Sequence, residues 1–382
     1  MDAVVVGAGI LGAAATYELA KAGLSAVLID RGSPNRESSG TTAGNIHMQA
    51  IHSRRPGQAH PADPSVFLPL QLAASDLWEQ VETELDANIE VRRGGSFMVA
   101  ETEDQVADLR AKHDLEQRFG LETTLLDGDD ARRELPLLGD GVLAADYCAL
   151  DGYANPLLAT PAYLRAATRL GARIYPFNPV EAITRTSDTY RLTTPTLVFE
   201  SPIVINAAGA WISQVGRLAG IGLDMAPVAI QMHATERTEA AMSHVIQHVG
   251  LGLSVKQVKA GNFLIGGGWP ALDLNLNGRS TISIESMLSN IALAHRVLPF
   301  LKSHRILRVW AGPLAATPDE LPVIGEVPEV KGFLVVGGTY GFTLAPLWGR
   351  VLRDLVIGDP PEVNLERVAV ARLVKSVSST DS

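Results

Sequence analysis

The chain has 382 residues, 46% of them hydrophobic, and a formal net charge of −10, which suits a large core divided between two domains. The acidic balance, without any Lys/Arg cluster, excludes a nucleic-acid partner, because phosphate binding needs a positive surface. Cys148 is the single cysteine; an internal disulfide, a self-held iron–sulfur cluster and a multi-cysteine zinc site are excluded, and no metal is expected.

In chain order, Ala3 to Val6 is a short apolar run predicted as a strand. Gly7-Ala8-Gly9-Ile10-Leu11-Gly12 follows, Ala13 to Ala22 suits a helix that Gly23 ends, and Ser25 to Ile29 is a second buried strand. This is a βαβ unit with a G-x-G-x-x-G turn, and Asp30 closes it where an acid is expected to take a ribose hydroxyl. Gly7 permits the tight turn, Gly9 lets backbone approach a pyrophosphate, and Gly12 lets helix and strand pack closely. The helix N-terminus then faces the phosphate charge. A strand beginning at residue 3 leaves no room for a basic leader, so a cytoplasmic protein is expected. Two apolar stretches do not read as membrane spans. Glu18 and Lys21 interrupt the first, and Arg350, Arg353 and Asp354 give the second, Gly332 to Gly358, one polar face.

From about Trp78 to Leu138 the composition turns to charged helix with scattered strands, as of an inserted domain. Pro161 to Leu170 reads as a helix, Ala172 to Tyr175 and Ser201 to Asn206 as strands, the latter running into Ala207-Ala208-Gly209-Ala210-Trp211. Residues 222 to 308 favour alternating strands such as Asn262 to Gly266, with a helix over Ile284 to Val297. Phe333 to Val336, a glycine turn and a helix over Thr343 to Ile357 close the pattern. The expected division is a cofactor domain of 1–77, 139–221 and 309–370, a substrate domain of 78–138 and 222–308, and a flexible tail of 371–382, where Ser, Thr and Asp dominate.

Three further segments bear on which dinucleotide is bound: Ser38-Ser39-Gly40-Thr41-Thr42-Ala43-Gly44-Asn45, Ile205 to Trp211, and Gly337-Gly338-Thr339-Tyr340-Gly341-Phe342-Thr343. Together with Trp310 to Gly325, which includes Thr317-Pro318-Asp319, they resemble the superfamily of D-amino-acid, glycine and sarcosine oxidases over nearly the whole chain. The loop after the second strand and the C-terminal glycine turn look most like flavin subunits of heteromeric opine oxidases, hydroxyproline dehydrogenases and hydrogen cyanide synthase. The resemblance implies an α/β fold in which a Rossmann-like FAD domain is interleaved with an α+β substrate domain on a mostly antiparallel sheet. It implies oxidation of a small amine or amino acid at its C–N bond, by hydride transfer to flavin N5 and hydrolysis of the imine. It also implies partner subunits carrying an iron–sulfur cluster and further flavin, with an FMN at a subunit interface as an option. The alternatives are a free-standing oxidase making peroxide and a flavin electron-relay subunit.

By that resemblance FAD is held without a covalent bond, Cys148 being far from the attachment positions of single-chain sarcosine oxidases. Gly7, Gly9, Gly12, Asp30 and Arg31 hold one end. Ser39, Gly40, Thr41, Thr42, Gly44 and Asn45 form the loop beside it. Ala208, Gly209, Trp211 and Gly312 come from the interior strands, and Gly338, Gly341, Phe342 and Thr343 from the last turn, where a helix N-terminus would stabilise the reduced cofactor. Tyr340 and His47 are the candidate catalytic side chains, each with a packing role as the alternative. At Leu314 many members of the superfamily have an arginine that grips the substrate carboxylate. A replacement cation is sought among Arg54, Arg55, Lys256, Lys259 and Arg308, while His52, His233 and Trp269 are not favoured as site residues.

Overall fold

The computed structural model describes residues 1–50, 63–275 and 279–375; Arg54, Arg55 and His52 lie outside them. Ala3–Val6 and Ala26–Ile29 are buried along their whole length, as strands of a parallel sheet covered on both faces must be. They form the middle of a six-stranded sheet. Its order is Val323–Glu326, Phe333–Gly337, Ile203–Asn206, Ala3–Val6, Ala26–Ile29 and Arg173–Tyr175, parallel except for the first strand. The period of two decides which face each residue serves. Ala3, Val5 and Leu28 pack under the helices Ile10–Lys21, Pro156–Arg169 and Ala345–Ile357. Val4, Val6, Val27 and Ile29 meet Ile183, Tyr190, Leu192 and Phe199 of a small three-stranded sheet on the other side.

The second sheet has eight strands, in the order Ile306–Ala316, Ala226–Arg237, Asn262–Gly266, Ser254–Gln257, Val245–His248, Ser96–Ala100, Ala144–Cys148 and Thr124–Asp127. All neighbours are antiparallel except Val245–His248 with Ser96–Ala100. Helix Ile284–Val297 packs on it through Leu293, Ala294 and Val297. The expected α/β fold with a second, mostly antiparallel sheet is present.

Sheet membership departs from the expected boundaries in three places. Ala144–Cys148, placed with the cofactor domain, is hydrogen-bonded on both sides within the eight-stranded sheet. All of Ile306–Ala316 belongs there too, paired with Ala226–Arg237, and helix Pro64–Leu85 runs across the boundary drawn at residue 77. The described part of the tail is also tied down. Arg372 binds the Asp319 carboxylate and the carbonyls of Leu321 and Pro322, Leu373 is buried, and Val374–Lys375 pairs with Gly222–Leu223. One arginine and one leucine outweigh the polar composition around them. No helix among the described residues is long and apolar enough to cross a membrane.

Helix Glu103–Arg118 reads as a solvated charged helix, yet Lys112 and Glu116 are fully buried. The Lys112 ammonium donates to Glu116 at 2.6 Å, Asp146 at 2.9 Å and Gln49 at 2.6 Å. Burial pushes the Glu116 carboxyl above its ordinary range, against the pull of Lys112. Glu116 also accepts the Ala50 N–H at 2.6 Å, so the network holds the chain that leads away from the cofactor loop. Lys112→Met removes the ammonium shared by these two buried carboxylates and should cost about 3–5 kcal/mol, read by urea unfolding. A loss below about 1 kcal/mol would mean that the carboxylates do not depend on it.

Candidate functional site

A cavity of about 820 Å³ runs between the two sheets, within the range typical of ligand and cofactor sites. One end is built by the first βαβ unit. Gly7 has φ +111°, a conformation that L side chains rarely adopt, and Gly9 leaves a gap in which a Cβ would lie 2.9 Å from Ser39 Oγ. That Oγ accepts the Ile10 N–H at 2.9 Å at the start of the first helix. Asp30 Oδ2 accepts Ala8 N–H at 2.6 Å and Oδ1 accepts Gly32 N–H at 2.7 Å. A carboxylate has lone pairs beyond these two bonds, and the Asp30 side chain lines the cavity. Burial pushes its carboxyl above the usual value, opposed by the two backbone N–H bonds. The Arg31 guanidinium lies over the Trp211 ring at 3.6 Å, and both line the same end with Ala208 and Gly209.

The loop after the second strand is stapled to the second sheet. Ser38 Oγ donates to the Pro313 carbonyl, Trp310 Nε1 donates to the Thr41 carbonyl at 2.8 Å, and Thr41 covers Gly312. Ser39, Thr41, Thr42 and Asn45 line the cavity, as does Gly312. Gly12, Gly40 and Gly44 do not face it. A Cβ there would strike the carbonyl oxygens of Gly7, Asn35 and Ala154, so these glycines let the backbone close up behind the wall.

Gly338, Tyr340, Gly341, Phe342 and Thr343 line the other end. The last helix starts at Ala345, two residues later than the sequence suggests, because Tyr340 to Leu344 forms a separate turn closed by Leu344 N–H to the Tyr340 carbonyl. Tyr340 holds φ +57°, uncommon for a bulky side chain and a form of strain found at functional sites. Its ring packs on Phe67 at 4.6 Å. Thr343 Oγ1 accepts the His47 N–H at 3.1 Å and donates to the Asn45 carbonyl at 3.3 Å, while Gln71 holds the His47 carbonyl. His47 lines the cavity; desolvation lowers it to about 4, with Asp151 raising it and Lys256 lowering it further. The imidazole is therefore neutral at pH 7, which makes it a hydrogen-bonding wall and a weak base.

Opposite that turn, the eight-stranded sheet contributes Ile230, Met232, Gln247, Leu253, Ser254 and Leu314. Sequence reasoning singled out only Leu314 of these. Alternation along Ala226–Arg237 could have indicated Ile230 and Met232, but no local pattern marks Gln247 or Ser254. Of the replacement cations, Lys259 pairs with Glu90 at 3.5 Å and is more than half exposed, and Arg308 is exposed on the strand away from the cavity. Lys256 is buried directly behind Asn45. His233, Trp269 and Cys148 do not line the cavity.

The narrow gap at Gly9, the helix start beyond it and the acid at Asp30 fit the adenosine and pyrophosphate of FAD. Gly9→Val fills that gap and displaces Ser39 from Ile10. It should lower FAD affinity by at least 10-fold on titration of apoprotein; a fully loaded yellow variant would contradict this. Asp30→Ala removes the acceptor for two backbone N–H groups as well as for a ribose, and an affinity loss of about 1.5–3 kcal/mol is expected. Unchanged affinity would remove Asp30 from the site.

A family model described as FAD dependent oxidoreductase matches residues 2–355. Glycine oxidase from Bacillus licheniformis is 25% identical over 370 residues, covering 94% of each chain. The hydrogen cyanide synthase subunit HcnC of Pseudomonas aeruginosa is 26% identical over 93% of this chain and 92% of that one. The crystal structure of glycine oxidase from Geobacillus kaustophilus superposes with a TM-score of 0.87 at 24% identity, covering 98% and 99% of the two chains. The match along almost the whole length, on a fold whose cavity joins a dinucleotide turn to a second sheet, shows that this chain belongs to the FAD dependent oxidoreductase family.

Proposed function

We propose that this chain oxidises the C–N bond of a small amine or amino acid, as the catalytic subunit of a heteromeric dehydrogenase. One observation carries the catalytic part: the cavity that begins at the dinucleotide turn continues, without a partition, to an apolar wall on the second sheet. Cofactor and substrate can thus meet in one desolvated space. FAD, when bound, supplies the hydride acceptor at N5. The chain's own residues supply orientation and environment. Ile230, Met232, Leu253 and Leu314 disfavour a charged ammonium and favour the free amine, the form able to give up hydride. Tyr340 and His47, which line the cavity with Thr343, are the side chains proposed to position the substrate. A histidine held near 4 is too weak a base to take a proton from an ammonium, so that proton is lost to water before or during binding.

The subunit part is supported by the likeness to HcnC, itself named as a subunit, and by the single cysteine, which leaves any iron–sulfur relay to another chain. A further flavin would be carried there as well; the cofactor named by the family is FAD, and FMN has no part in this proposal. Glycine oxidase matches over 94% of the chain and favours the second reading, a free-standing oxidase.

Anaerobic addition of opines, proline derivatives, sarcosine, glycine and D-amino acids to the FAD-loaded chain should bleach the flavin with at least one of them. If none does, the chain is an electron relay without a substrate of its own. With the bleaching substrate in air, the isolated chain should turn over slowly and gain rapid dye reduction on co-expression with its partner subunits. Peroxide formation by the lone chain at about 10 per second, an ordinary enzymatic rate, would replace the subunit by the oxidase.

A further inference from the structure

Lys256 sits on the strand Ser254–Gln257 and is 1% exposed. Its amine donates to the Ala43 carbonyl and to Asn45 Oδ1 at 2.6 Å, and lies 4.5 Å from the centre of the Tyr153 ring. No carboxylate among the described residues pairs with it. A buried lysine without a counter-charge is costly, and an apolar side chain of the same length would pack without that cost. Burial accordingly pushes its pKa well below the usual lysine value.

The hydrogen bonds beyond it run in one direction. Whether ammonium or free amine, Lys256 has an N–H for each of its two acceptors. Asn45 presents its oxygen to Lys256 and turns its Nδ2 toward Ser254, where it donates to Oγ at 2.7 Å. Ser254 Oγ is thus an acceptor from the protein, and its own proton meets no acceptor among the described residues. Ser254 and Asn45 both line the cavity on the side of Leu253 and Leu314.

We propose that Lys256 is a positioning residue which, through Asn45, aims the Ser254 hydroxyl as a hydrogen-bond donor at a carboxylate oxygen of the substrate. The inference rests on the amine or amino-acid reading above and narrows it to substrates bearing a carboxylate. Each donor in the chain polarises the next, so the terminal hydroxyl is a stronger donor than an isolated serine. The lysine thereby serves a carboxylate that Leu314 cannot grip, without entering the cavity.

The test titrates the FAD-loaded chain with propionate and with propionamide, which has the same shape and no charge, reading the change in flavin absorbance. Wild type should prefer propionate. Lys256→Met and Ser254→Ala should each weaken propionate about 10-fold, leave propionamide and FAD affinity unchanged, and together weaken propionate no more than the larger single effect. Lys256→Arg should recover most of the loss. Independent losses that multiply, equal losses for both probes, or a loss confined to FAD affinity would overturn the proposal. Ser254→Ala removes one oxygen from the cavity wall, so full propionate affinity in that variant overturns it even if Lys256→Met fails to fold. The outcome is separable from the catalytic reading: discrimination of propionate can hold in a chain that no amine bleaches, and bleaching can occur in one that does not discriminate.

Discussion

The segment from Asn45 to Ala50 lies between groups of both sheets and must have its backbone polar groups satisfied there, and most of the site depends on how that is done. The Asp151 carboxylate accepts the N–H groups of Met48 and Gln49 and binds Ser96 and Gln247. Glu116 takes Ala50, Thr343 takes His47, and Asn45–Ile46 pairs with Gly152–Tyr153. These partners come from three different parts of the chain. The segment is thus a seam, and its residues Asn45 and His47 line the cavity.

The seam explains why the second half of the site was hard to foresee. Glycine spacing and apolar runs are local signals, and they placed the first βαβ unit, the strand Asn262–Gly266 and the helix Ile284–Val297 closely. The last turn was legible as glycine punctuation, although the left-handed Tyr340 delayed the helix. Lys112 and Glu116 carried the opposite signal, since charged residues at a spacing of four read as a solvated helix face. Their burial follows from Asp146 and Gln49, both distant in sequence. Ala144–Cys148 was likewise misplaced because five residues without strong alternation do not reveal which sheet will receive them. The wall formed by Ile230, Gln247 and Ser254 exists only once four strands are in register.

The two ends of the cavity differ in how they are built. At the dinucleotide end, backbone groups and missing side chains do most of the shaping, with Asp30 organising the turn through Ala8 and Gly32. At the far end the wall is largely apolar, and its polar atoms are held from behind by buried partners: Gln247 by Asp151, Asn45 by Lys256, His47 by Thr343 and Gln71. Rigid support of this kind keeps the few polar groups in place while the surrounding surface stays dry, the condition under which a hydrogen bond to a ligand is strongest.

The order of strands in the parallel sheet has a consequence for biosynthesis. Ala3–Val6 pairs with Ala26–Ile29 at once, but its other neighbour is Ile203–Asn206, and that strand in turn waits for Phe333–Gly337. A chain emerging from the ribosome therefore carries an unpaired, wholly apolar strand edge for some two hundred residues of synthesis. Pairing at such sequence separation is slow and exposed to aggregation. The cavity lacks part of its wall until the turn after Phe333–Gly337 has been made, so the nascent protein passes most of its synthesis with its site incomplete.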